Sequence, residues 1–153
     1  MKTQKSIGMF LPTIVFLAAT GCSSMGGTHG SEIAATGPTV LNVRVNPDQV
    51  ELNQSLQPMK PVEIVADVKD FTSKVADVRL RFVHAPIEVK MRNIGGSTWM
   101  AQLTPEQLKM LAVSGQIMKY DANIVARDED GMVATSRAPV TIAIKAPELP
   151  ARA

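Results

Sequence analysis

Chemistry in this chain would have to come from a few small sets of side chains. Cys22 is the only cysteine, so its thiol has no partner within the chain for a disulfide. Asp128, Asp130 and Gly131 lie in the string DEDG, and a short acidic turn can begin a calcium loop because a hard cation needs several oxygens converging on one point. Asp67 and Asp70 would add oxygens if the fold brought them near. The regular oxygen spacing and terminal glutamate of a full calcium loop are missing, so a hairpin turn is the stronger reading and a bound cation the weaker. Met91, Met100, Met110, Met118 and Met132, with His84, raise a soft-metal site for Cu(I). Their spacing is not that of a soft-metal motif, and flexible thioethers filling gaps in a core short of aromatics explain most of them.

Arg79, Arg81, Lys90 and Arg92 alternate along neighbouring segments and would form a basic stripe on one sheet face if those segments pair. That stripe is either a solvated outer face or a surface for an acidic partner or anionic glycan. Val65, Val83 and Val125 fall on the polar side of their segments and could add a modest apolar patch. The two histidines are His29 and His84, so no Ser-His-Asp or Cys-His machine can be assembled, and nothing singles out a carboxylate pair. The expectation is a protein without catalytic residues or a cofactor.

The surroundings of Cys22 give its thiol a meaning. Lys2 and Lys5 form a basic flank, residues 7–19 form an apolar run interrupted by Pro12, and residues 17–22 read LAATGC. This layout resembles a bacterial lipoprotein signal, with Ala19, Thr20, Gly21 and Cys22 as the cleavage motif and Ala19 where leucine is commonest. The resemblance implies cleavage before Cys22, a diacylglyceryl thioether on its sulfur and a further acyl chain on the freed amine. An apolar run of about 13 residues is too short for the roughly 20 needed to span a bilayer. Ser23, where an aspartate would favour inner-membrane retention in enterobacterial members, implies an outer-membrane lipoprotein facing the periplasm.

Residues 1–21 are therefore read as the signal, and their removal lowers the 16 basic residues to 14, matching the 14 acidic ones. A balanced charge with interspersed signs offers no footprint for nucleic acid. Residues 22–37 read as a lipidated flexible linker rich in Gly, Ser and Thr, with a typical span of roughly 20 to 25 Å; His29 sits in it as a solvated residue. Residues 147–153, carrying Pro147 and Pro150, read as an extended tail.

Between linker and tail, over 38–146, short runs alternate apolar and polar residues and are bounded by Pro, Gly, Asn and Asp, the pattern of half-buried strands. The inward sets are Leu41, Val43 and Val45; Val62, Ile64, Ala66 and Val68; Val78, Leu80 and Phe82; Ile87, Val89 and Met91; Trp99, Ala101 and Leu103; Tyr120, Ala122, Ile124 and Ala126; and Val140, Ile142 and Ile144. Thr104, Pro105 and Gln107 form a capping box, predicting about two turns of helix that bury Leu108 and Leu111 and close at Ser114 and Gly115.

About seven strands in roughly 110 residues, with one short crossover helix, point to a single all-β antiparallel sandwich. The order of a Trp-bearing strand, a Thr-Pro-Glu crossover, a strand with Tyr120 and an acidic turn resembles an immunoglobulin-like or fibronectin type III-like domain. That resemblance implies a corner role for Tyr120, its hydroxyl bonding back to the crossover; the inter-sheet cysteine pair of antibody domains is missing. Taken together, the expectation is a lipid-anchored module, held to the membrane through Cys22, that docks onto another envelope protein. The alternative is a binding protein for a small ligand or envelope polysaccharide.

Overall fold

The computed structural model describes residues 36–149. They form ten strands and one helix: β1 (Thr39–Asn46), β2 (Gln49–Glu51), β3 (Glu63–Lys69), β4 (Val75–Phe82), β5 (Glu88–Lys90), β6 (Arg92–Gly95), β7 (Thr98–Gln102), α1 (Pro105–Leu111), β8 (Ile117–Asp128), β9 (Val133–Thr135) and β10 (Val140–Lys145). One sheet has the order β1-β3-β7-β6; the other has the order β2-β10-β8-β4-β5, with β9 also paired to β8. Every pairing is antiparallel except β2 with β10. Setting aside the short β2, β5 and β9, this is the ABED and GFC arrangement of an immunoglobulin-like sandwich.

The alternation read from the sequence is what stacks the sheets. Ile64, Ala66 and Val68 of β3, Val78, Leu80 and Phe82 of β4, Ala122, Ile124 and Ala126 of β8, and Ile142 and Ile144 of β10 are all buried in one continuous core. Each large aliphatic side chain taken fully out of water contributes about 1.5–3 kcal/mol. Trp99 packs on this core while staying half-buried.

Three details differ from the sequence reading. In β1 the register shifts between Leu41 and Arg44, where Asn42 adopts a φ of 49°. The bulge turns Val40 into the core and leaves Leu41 exposed, although Val43 and Val45 still pack inward. Second, 87–92 is not one strand. Lys90 pairs with Arg79 in one sheet, whereas Arg92 pairs with Met100 in the other, so the chain changes sheets at the buried Met91. Third, β2 adds a short parallel edge to β10, burying Val50.

The registers define two ends. Thr39 lies opposite Lys69, and Val75 opposite Asp128, so the chain enters where loops 70–74, 95–97 and 128–132 meet. At the other end Leu103 donates to the Val62 carbonyl and α1 leads into β8. Residues 147–149 are held there, with Gly115 donating to the Pro147 carbonyl at 3.0 Å and Leu149 donating to Ser114 Oγ at 2.9 Å; the rest of the expected tail, 150–153, lies outside the described residues. Among the described residues no helix is long and apolar enough to cross a membrane.

Candidate functional site

Two surfaces carry the residues singled out above. The first is the outer face of the larger sheet, where β4, β5 and β8 turn alternate residues to solvent. Arg79 and Arg81 of β4 stand opposite Lys90 and Glu88 of β5. Arg79 Nη1 donates to Glu88 Oε1 at 2.6 Å, Arg81 Nε donates to Glu88 Oε2 at 2.9 Å, and Arg79 Nε donates to Asp77. Lys90 Nζ lies 3.9 Å from the second Asp77 oxygen. The expected basic stripe is thus a ladder in which two carboxylates are threaded between three cations. The Arg79 and Arg81 guanidiniums hold Glu88 below the usual carboxylate range, and Glu88 with Asp77 pushes Arg79 upward.

Arg92 stands outside this ladder because the crossing at Met91 puts it on the other sheet. For the same reason Val65 on β3 and Val125 on β8 belong to different sheets and form no common patch. Val125 instead joins Arg127, Val133, Asp77, Arg79 and Arg81 around a shallow depression of about 150 Å³. Asp77 and Glu88 share the alternate spacing of the arginines and Lys90, and the β4–β5 pairing is what sets these carboxylates between the cations.

The second surface is the end where the chain enters. A groove of about 610 Å³ runs between loop 70–74 and the β6–β7 hairpin, lined by Phe71, Val75, Lys69, Lys74, Asn93 and Trp99 among others. Phe71 is 85% exposed. It is not on a loose tip, because Asp70 Oδ1 accepts from the backbone N–H groups of Thr72 and Ser73 at 2.9 Å each. Those two bonds hold the Asp70 carboxyl below its ordinary range. Thr72 Oγ1 donates to the Thr36 carbonyl at 2.8 Å, tying the incoming chain to this loop.

The four aspartates of the candidate cation site are divided. Asp67 accepts from Asn42 Nδ2 at 2.9 Å and Thr98 Oγ1 at 3.0 Å, bonds that lower its pKa. Asp130 is exposed in the turn. Loop 70–74 closes beside the end of β8, where Val75 pairs with Asp128 and the Glu129 N–H donates to the Lys74 carbonyl at 2.9 Å, and one oxygen each of Asp70 and Asp128 is enclosed there without a hydrogen-bond partner among the described residues. Asp128 ends β8 as the buried start of the turn: its N–H donates to the Met132 carbonyl and its Oδ1 accepts from the Met132 N–H at 2.7 Å. No group of three or more His, Cys, Asp or Glu residues is placed to hold a metal ion among the described residues.

The methionines are dispersed. Met91 and Met100 are buried, Met110 is exposed on α1, Met132 lies in the entry-end turn, and Met118 begins β8 at the opposite end. His84 is exposed between β4 and β5.

Tyr120 takes the corner position. Its hydroxyl donates to the Leu111 carbonyl at 2.6 Å, satisfying an acceptor at the end of α1, and its ring meets Phe82 edge-on at 6.4 Å. The capping box is present in both directions, with Thr104 N–H donating to Gln107 Oε1 at 2.9 Å and Gln107 N–H to Thr104 Oγ1 at 3.3 Å. Cys22, the motif Ala19, Thr20 and Gly21, and His29 lie outside the described residues. No protein-family model matches this chain, and no curated protein matches it in sequence.

Proposed function

We propose that this protein is a non-enzymatic, lipid-anchored module of the bacterial envelope that docks onto another envelope protein as an accessory subunit. It sits on the outer membrane and faces the periplasm. The observation that carries the reading is the apolar leader ending in LAATGC, followed by a Gly, Ser and Thr-rich stretch and then a sandwich domain. One acyl chain gives only marginal attachment at about 0.8 kcal/mol per buried methylene, whereas two or three on Cys22 hold durably. A tether of this composition lets the domain reorient while confining it near the membrane, which raises its effective concentration toward a neighbouring partner to about the millimolar range.

The docking face is the outer side of the larger sheet. Its cations and carboxylates alternate in fixed register across β4 and β5, and such a pattern selects partners through orientation and sign more than through raw affinity. Site-specific cross-linking from Val125 in intact cells tests this reading. One defined envelope protein is expected as the adduct, lost in Arg81→Glu and diminished when Cys22→Ser removes the anchor. A monomer without adduct from any position on this face contradicts it.

A second reading is supported by the groove between Phe71 and Trp99, whose volume falls in the range of small-molecule sites. There the ligand would be a small molecule or envelope polysaccharide stacking on the aromatic rings. Titration of oligosaccharides against the fluorescence of Trp99, the sole tryptophan, separates it from the first.

A further inference from the structure

Arg127 stands on the outer sheet face beside the ladder without being neutralised by it. Register places Asp77 of β4 directly opposite Arg127 on β8. Asp77 nevertheless spends its oxygens elsewhere, one accepting from Arg79 Nε and the other lying 3.9 Å from Lys90 Nζ. Other acids near this face are also taken: Glu88 holds Arg79 and Arg81, Glu129 pairs with Lys74, and Asp121 accepts from Thr141 Oγ1 at 2.7 Å. Asp130 lies past the strand end, in the turn. Among the described residues the Arg127 side chain has no ion pair. Arg81 is only half engaged, because Nε alone donates to Glu88 and its two terminal amino groups are left over.

These two guanidiniums and that of Arg79 line the depression of about 150 Å³ together with a single carboxylate, that of Asp77. Crowding three like charges around one hollow costs electrostatic energy, and an incoming anion relieves it. A guanidinium offers a carboxylate two parallel N–H donors in one plane, a geometry that the point charge of a lysine lacks. The rest of the lining is aliphatic: Val125, and Val133, which is 54% exposed opposite Arg127 on β9. No aromatic ring lines the depression, so a sugar finds no face to stack on there. An acidic protein side chain with an apolar neighbour matches both the charge and the lining.

Resting on the reading of this face as the docking surface, we propose that the partner inserts an aspartate or glutamate into this depression. Arg127 receives its carboxylate, Arg81 completes the positive rim, and an apolar side chain next to that acid covers Val125 and Val133. The ladder and Arg127 then have separate tasks. Pairs within the ladder fix the register of the charges, whereas Arg127 is neutralised only when the partner arrives. An exposed ion pair is weak in water and strengthens once a partner's body excludes solvent, so the contact favours the correctly seated complex over loose encounters.

The test uses the full chain in isolated membranes. Arg127→Lys keeps the charge and adds an amine, so a zero-length carbodiimide reagent can join position 127 to a carboxyl in direct contact. Fragment sequencing of the adduct is expected to show an amide bond from position 127 to an aspartate or glutamate of another protein. In parallel, the cross-link from position 125 is expected to fall about tenfold or more in Arg127→Glu, which sets like charges together, and to survive Arg92→Glu on the other sheet. Arg127 and Arg92 are both exposed, so neither substitution disturbs the core, and unchanged urea midpoints verify it. A cross-link undiminished in Arg127→Glu, or reduced as much by Arg92→Glu, overturns the carboxylate contact while leaving the docking face standing. Coupling of the new amine to a sugar carboxyl, or only to Asp77 of its own chain, overturns it as well. No adduct from any position on this face removes both the contact and the docking reading.

Discussion

The helix end of the sandwich is closed by hydrocarbon and satisfied backbone groups, whereas the entry end is closed by carboxylates. At the helix end Leu108 and Leu111 are buried under α1, Thr104 and Gln107 cap its start, and Tyr120 bonds to the carbonyl of Leu111. At the entry end Asp70 and Asp128 each spend one oxygen on a turn and bury the other, and Phe71 stands in solvent beside the groove. Both ends expose apolar side chains, Met110 and Ile117 at the helix end and Phe71 at the entry end, but only the entry end encloses carboxylate oxygens without a hydrogen-bond partner among the described residues, a feature that costs stability. Under the proposed function, recognition falls to the outer sheet face and the entry end and not to the helix.

That contrast can be broken most forcefully at the helix. Leu108→Ala is expected to lower unfolding free energy by about 2–5 kcal/mol in urea titration, because a fully buried side chain leaves a cavity. Tyr120→Phe should cost about 1–1.5 kcal/mol, the worth of one short hydrogen bond whose acceptor is left unpaired. Thr104→Ala should cost about 1 kcal/mol through the lost cap. If hydrogen exchange in these variants accelerates near α1 and leaves loop 70–74 unchanged, the two ends are separable; uniform acceleration would show a single cooperative unit.

Acid sharpens the comparison from the other side. Asp67, Asp70 and Glu88 are all held below their ordinary values by hydrogen bonds in the folded chain. Groups depressed in this way contribute stability that is present above the unfolded pKa, about 4, and is lost as pH falls through their folded values. Urea midpoints are therefore expected to decline below about pH 4, and Asp67→Asn should flatten part of that decline. The smallest effect is expected from Glu88→Gln, which removes only exposed ion pairs: the midpoint stays within experimental scatter, while cross-linking through Val125 changes because the ladder loses its central carboxylate.

Most of the fold was legible because period-two alternation and a capping box are local signals. The strands through Ile64, Leu80, Ile124 and Ile142 and the helix at Pro105–Leu111 are readable this way, whereas the corner role of Tyr120 is what the resemblance to an immunoglobulin-like domain implies. What escaped was set by tertiary contact. Nothing in residues 39–46 announces that Asn42 takes a left-handed conformation and bonds to Asp67, yet that bulge exchanges Val40 for Leu41 in the core. Unbroken alternation from Ile87 to Arg92 hides the sheet crossing at Met91, and so made Arg92 look like part of the stripe. Asp70 and Asp128 are readable as candidate oxygens but not as partly enclosed carboxyls on adjoining turns, since that placement depends on the β4–β8 register.

The proposal that this domain works on a membrane tether rests on one sulfur atom, that of Cys22. Intact-mass analysis of the mature chain extracted from membranes tests it most directly. An N-terminus at Cys22 with a mass increment matching a diacylglyceryl group and an amide-linked acyl chain is the expected result. A mature chain bearing a free Cys22 thiol, or one cleaved elsewhere, would contradict the anchor and the placement of the docking module with it.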